Sequence, residues 1–159
     1  MGGSRLKIMS QRIAKKMSVI FARTDADIRD CWPVVAQLRP HLKEKDFVGI
    51  VRRQFAEGYQ LVFIRRKRKV VAMTGFRVLN NLIWGRFCYV DDIVTDEQTR
   101  SQGLGRQLME WLCEFARAAS CLRLELDSGV QRFAAHRFYL RNQMWISCHH
   151  FSLELNDLK

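Results

Sequence analysis

A β-rich run from Arg86 to Thr95 passes into Gly103-Leu104-Gly105 and then into the most strongly amphipathic stretch of the chain. This series of strand, glycine turn and helix constrains the fold more than any other feature. Leu104, Leu108, Met109, Trp111, Leu112, Phe115, Ala116 and Ala119 recur at three- and four-residue spacing, with Arg106, Gln107, Glu110, Glu114 and Arg117 on the other side. Such an apolar face must be buried, and a strand feeding directly into it places a sheet beneath it. The junction also leaves the first N–H groups of the helix unpaired, with the positive end of its dipole behind them. That arrangement receives an anion. Gly103 and Gly105 remove side chains where a diphosphate would approach the backbone, and Arg100 and Arg106 add charge. Two better-known phosphate loops are excluded: Gly105 is followed by Arg106-Gln107 rather than Lys-Ser/Thr, and Leu108 stands where a dinucleotide fingerprint needs a third small residue. A tight turn without a ligand is the plain alternative.

The rest of the chain fits around this unit. Ser18 to Arg23 reads as a short strand, and Thr24 or Asp25 caps a helix to about Leu38, closed by Pro40. A second helix, about Lys45 to Glu57, ends at Gly58. Tyr59 to Arg65 and Val70 to Val78 form a hairpin around the basic turn Arg65-Arg66-Lys67-Arg68-Lys69, and Asn80-Asn81 turns the chain again. Leu122 to Leu126 alternates as a strand, Gln131 to Arg141 is helical, and Ile146 to Leu155 contains a terminal strand. The order β-α-α-β-β-β-α-β-α-β predicts one mixed α/β sheet with helices packed on it.

At 159 residues, with 48% hydrophobic and 27% charged residues, the chain has the material for a single core and is neither disordered nor low-complexity. Its net charge is +11, and Arg5, Lys7, Arg12, Lys15 and Lys16, with no acid among residues 1–17, contribute five of these charges. Residues 1–17 therefore read as a basic extension ahead of a single domain over 18–159. The excess attracts polyanions, whether nucleic acid, an anionic membrane or a phosphorylated small molecule. The extension has no aromatic residue for base stacking, so nucleic acid is disfavoured. No run is long enough to span a bilayer and no secretory signal opens the chain, which predicts a cytoplasmic protein without a membrane partner. The five cysteines are unevenly spaced, without a Cys-x-x-Cys pair. In a strand Cys148 and His150 share one face while His149 points away, leaving too few ligands for zinc, so no metal is expected.

Arg100, Gly103 and Gly105, preceded by Tyr89-Val90-Asp91-Asp92-Ile93-Val94-Thr95 and followed by Ala135-His136-Arg137-Phe138-Tyr139, resemble the ordered motifs of the GNAT superfamily of acyl-CoA-dependent N-acetyltransferases. The pattern is most similar to small bacterial members such as the aminoalkylphosphonate acetyltransferases. The resemblance implies a central mixed sheet of about six to seven strands, splayed between strands 4 and 5 and flanked by about four helices. It implies acetyl-CoA as cosubstrate, an amine acceptor, and a monomer or homodimer. Arg132 stands where the family often has an asparagine that contacts the cofactor, and Gln143-Met144 replaces a usual Gly-Phe.

On this resemblance the pantetheine arm pairs with the strand backbone at Ile93, Val94 and Thr95, where an N–H near Val94 polarises the thioester carbonyl. Arg100, Ser101, Gln102, Gly103, Leu104, Gly105 and Arg106 hold the diphosphate, with Arg132 and Phe138 also at the cofactor. Tyr139 is the acid that protonates the departing thiolate. Asp91 and Asp92 are the candidate bases, and strand alternation lets only one of them face the cleft. Asp92 is favoured, with a water-relayed route and a purely structural pairing with a nearby arginine both left open. An acidic cleft around the two would override the basic balance of the chain locally. The other reading is a non-catalytic CoA-binding or nucleic-acid-associated regulatory domain that uses the basic arm.

Overall fold

The computed structural model describes residues 19–155, so the basic extension and Ser18 lie outside the described residues. The described residues divide after Leu126 into two compact units.

The first unit holds a five-stranded sheet whose spatial order, β1-β2-β3-β4-β5, is also the chain order. Strand β1 is Val19–Phe21, and helices α1 (Asp25–Leu38) and α2 (Glu44–Ala56) lead to β2 (Gln60–Arg66), β3 (Lys69–Asn81) and β4 (Gly85–Thr95). A short 3-10 turn, Glu97–Thr99, precedes α3 (Leu104–Ala118), and β5 is Arg123–Leu126. Pairs β1·β2, β2·β3 and β3·β4 are antiparallel, whereas β4·β5 is parallel. A capping box opens α1: Thr24 Oγ1 accepts from the Asp27 N–H at 3.1 Å and Asp27 Oδ2 from the Thr24 N–H at 3.0 Å.

Helices cover both faces of the sheet. On one, α1 and α2 bury Ile28, Cys31, Val34, Phe47 and Val51 against Leu61, Phe63 and Met73. On the other, α3 buries every apolar residue of its predicted face, from Leu104 through Ala119. There Trp111, Phe115 and Phe76 form an aromatic cluster with ring centroids 4.8–5.6 Å apart.

The β2–β3 hairpin closes on Lys67 and Arg68 with φ of 46° and 69°, between the paired Arg66 and Lys69. Positive φ at both central residues matches the twist of the flanking strands. Strand β3 runs three residues past the expected Val78, because Asn80 and Asn81 pair with Arg86 and Gly85, and the Asn81 side chain accepts from the Trp84 N–H to close the turn.

The second unit contains α4 (Phe133–Arg141). After it, the Gln143 N–H donates to Leu140 O and the Met144 N–H to Tyr139 O, a Schellman ending with Gln143 at φ 64°. The terminal strand expected within Ile146 to Leu155 is not formed, so among the described residues the sheet has five strands where six to seven were expected. Phe151, Leu153 and Leu155 alternate as a strand would, yet all three are exposed. Alternation makes a strand only where a neighbouring ladder supplies hydrogen bonds and burial.

Candidate active site

Strand β5 pairs with β4 only from Phe87 to Val90, so within the sheet Asp91–Thr95 has a strand partner on the β3 side alone. The ladder fixes where the backbone of that stretch points. The Asp96 N–H donates to Val71 O at 2.9 Å, which makes Val94↔Met73 the next hydrogen-bonded pair and Thr95↔Ala72 and Ile93↔Thr74 the non-bonded ones. The N–H and C=O groups of Ile93 and Thr95 therefore project from the β4 edge away from β3. Val94, grouped with them on sequence, turns its backbone to β3 and its side chain into the core.

The edge leads into the glycine turn. Ser101 and Gly103 both adopt left-handed backbone, φ 63° and 79°, and Gly103 caps α3 without any side-chain hydrogen bond to the helix N–H groups. A Cβ on Gly103 would meet no atom within 4 Å, so the space over the turn is open. Arg100, Ser101, Gln102 and Arg106 are exposed, while Leu104 is buried and offers its backbone alone. Gln102 Oε1 accepts from Arg66 Nη1 at 3.0 Å, which ties the basic hairpin to the turn. Arg106 pairs along its own helix with Glu110 at 2.9 Å. The turn thus offers backbone donors, a helix dipole and nearby cations to an anion of diphosphate size.

Asp91 and Asp92 lie just before this edge, where β4 carries an extra residue. Gly75 pairs with Asp92 and Phe76 with Val90, so Asp91 is bulged out of the ladder. The bulge breaks the alternation expected from sequence, and both carboxylates join one network. Asp92 Oδ1 accepts from Arg39 Nε at 2.8 Å and Oδ2 from the Tyr59 hydroxyl at 3.1 Å. Both carboxylate oxygens of Asp91 accept from Arg77 Nε, at 3.1 and 3.2 Å, and the Arg77 guanidinium lies over the Tyr59 ring. Arg39 Nη2 also donates to Asp91 O at 3.0 Å. Each carboxylate is therefore matched by an arginine, and the acidic cleft expected from sequence is neutralised. Burial raises the Asp91 carboxyl above its ordinary value, opposed by hydrogen bonding and charge from Arg77.

Sequence reasoning missed Arg39, Tyr59 and Arg77. The available signals were Gly58, which ends α2 and delivers Tyr59, and Gly75, a lone glycine inside a strand.

In the second unit, Tyr139 and Phe138 lie on α4 with ring centroids 5.5 Å apart, and Arg132 is the residue that caps the helix. Partial burial raises the Tyr139 phenol above its ordinary value, with the Arg132 charge opposing, so it is protonated at neutral pH. His136 Nε2 is 2.9 Å from Gly129 O, and His150 Nδ1 is 3.0 Å from Asp127 Oδ2. Among the described residues, no three His, Cys, Asp or Glu side chains gather as a metal site, and no helix is long and apolar enough to cross a membrane.

A model of the acetyltransferase (GNAT) family matches residues 21–143. An uncharacterized N-acetyltransferase of Bacillus subtilis strain 168, YhdJ, is 28% identical over 111 residues, which cover 69% of this chain and 78% of that protein. An aminoalkylphosphonate N-acetyltransferase of Salmonella typhimurium strain LT2 is 40% identical over 52 residues, 33% of this chain and 34% of its own length. The crystal structure of a transcriptional regulator from Bacillus halodurans C-125 has a TM-score of 0.76 at 22% identity, over 86% of this chain and 98% of that one. At that identity the likeness is one of fold.

Proposed function

The chain belongs to the acetyltransferase (GNAT) family, and from that premise we propose that residues 18–159 act as a transferase domain moving the acetyl group of acetyl-CoA to a primary amine of a small molecule or a protein. The observation that carries this reading is the continuity of backbone donors, from the β4 edge at Ile93 and Thr95 into the uncapped, left-handed turn at Ser101–Gly103. When bound, acetyl-CoA supplies its acetyl group as a thioester already activated for acyl transfer.

Ile93 and Thr95 hold the amide-bearing arm by strand-like pairing, and one of their N–H groups polarises the thioester carbonyl. Val94 supports this edge from the core. The N–H groups from Gly103 to Arg106, with the side chains of Arg100, Ser101, Gln102 and Arg106, take the diphosphate, and Arg132 and Phe138 complete the cofactor contacts. Asp92 is the base. A carboxylate offers about four acceptor positions, and Arg39 and Tyr59 use two, which leaves lone pairs to take a proton from the acceptor directly or through water. Asp91, bulged beside it, is the second candidate. Tyr139 Oη donates a proton to the departing sulfur.

Titration calorimetry with acetyl-CoA tests the first half of this reading. Saturable binding that weakens in Arg100→Glu supports it, and absence of saturable binding overturns it. A thiol-release screen across amines tests the second: Tyr139→Phe loses turnover while retaining cofactor affinity, and unchanged turnover removes Tyr139 from the mechanism.

A further inference from the structure

We propose that Tyr59 is a positioning residue for Asp92, admitted to that place by Gly75. The inference rests on the reading of Asp92 as the base. Tyr59 is buried, its backbone fixed by the ending of α2: the Gly58 N–H donates to Phe55 O, the Tyr59 N–H to Gln54 O at 3.0 Å, and Gly58 sits at φ 87°. Its ring stacks on Phe55 at 6.3 Å between centroids. From there the side chain passes over β3 at Gly75, the residue paired with Asp92, and its hydroxyl donates to Asp92 Oδ2. A methyl group on Gly75 would overlap the Tyr59 hydroxyl and ring, so the glycine is the notch through which the tyrosine reaches the carboxylate. Gly75 also adjoins the bulge that turns Asp91 out of the ladder.

Arg39 from the end of α1 and Tyr59 from the segment before β2 reach the Asp92 carboxylate itself, and Arg77 from β3, with Glu57 beside it, pairs with the neighbouring Asp91 of β4. Arg39 holds one oxygen and the phenol the other, so the two donors fix the plane of the carboxylate. Burial and the adjacent Asp92 charge keep the phenol protonated, so it remains a donor at neutral pH. Without the hydroxyl, Oδ2 loses this donor and the carboxylate is left to turn about its remaining bond to Arg39.

The experiment is steady-state kinetics of the full chain with acetyl-CoA and the best amine of the screen, reading kcat apart from the amine KM, with acetyl-CoA affinity from calorimetry. In Tyr59→Phe, which keeps the buried ring, kcat falls by about tenfold while the amine KM and the acetyl-CoA affinity stay at the parent's values. Because Asp91 is the second candidate base, the loss is also read in an Asp91→Asn background, where it persists. Gly75→Ala lowers kcat in the same direction while retaining the tyrosine. An unchanged kcat in folded Tyr59→Phe, judged by its thermal melt, overturns the proposal. The base reading fails separately, through undiminished turnover of Asp92→Asn in the amine screen.

Discussion

Gly103→Ala separates the conformational role of the turn from its role in binding. Gly103 stands at φ 79°, and an added methyl would meet no protein atom within 4 Å. Its effect on the folded protein is therefore the left-handed backbone penalty alone, about 1–2 kcal/mol. For a chain of this size that lowers the melting temperature by roughly 2–8 °C. The effect on binding is larger. The methyl occupies the open space over the turn, where the N–H groups from Gly103 to Arg106 are proposed to meet the diphosphate. Losing hydrogen bonds to a charged group costs about 1.5–3 kcal/mol, which is roughly a 10- to 150-fold weaker acetyl-CoA affinity. Calorimetry and thermal melting of the same samples read both numbers. Gly103→Asn adds a control, since asparagine tolerates left-handed backbone and regains stability without clearing the space. A Gly103→Ala protein that melts lower yet binds acetyl-CoA as tightly as the parent would refute the placement of the diphosphate at this turn.

Three further outcomes follow from the backbone and the cysteines. Gln143→Gly at the left-handed position after α4 raises stability by about 1 kcal/mol, seen as a higher denaturant midpoint at unchanged slope. Lys67→Asn with Arg68→Gly installs the preferred residues of the β2–β3 turn and stabilises by about 1 kcal/mol; a loss of stability would show that the cationic side chains hold the hairpin. Burial pushes the Cys31 thiol up to about 12 and raises Cys88 as well, whereas Cys148 is exposed. Iodoacetamide at pH 8 therefore labels Cys148 in the native protein and reaches Cys31 and Cys88 only after unfolding, as peptide mass mapping will show.

What was legible in the sequence was local. The face of α3 is read correctly residue by residue, because helical periodicity and burial act within one segment and point the same way. The strand, glycine turn and helix around it are legible for the same reason. The network on the aspartates is not. Arg39, Tyr59 and Arg77 reach Asp92 or Asp91 across separations of 53, 33 and 14 residues, and only the register of the sheet brings them together. The bulge at Asp91 defeats alternation as a guide, since one extra residue re-aims its side chain without any sign in the local pattern. The segment from Ile146 to Leu155 errs in the opposite direction: its alternation is clear, but pattern without a ladder does not fold into a strand.

The agreement between strand order in space and in sequence has a kinetic consequence. Strands β2, β3 and β4 are joined by two short turns, so their pairings close small loops and lose little chain entropy. Strand β1 must wait for α1 and α2, and β5, the parallel partner, for the crossover through α3. Contacts between chain neighbours form fastest, so the three-stranded meander is the piece expected to assemble first and β5 to join late. The Ile93–Thr95 edge is then set by antiparallel pairing with β3 before β5 docks on the earlier part of β4, from Phe87 to Val90. Folding variants that slow the docking of β5 would leave that edge intact, whereas slowing of the β3·β4 pairing would delay edge and network together.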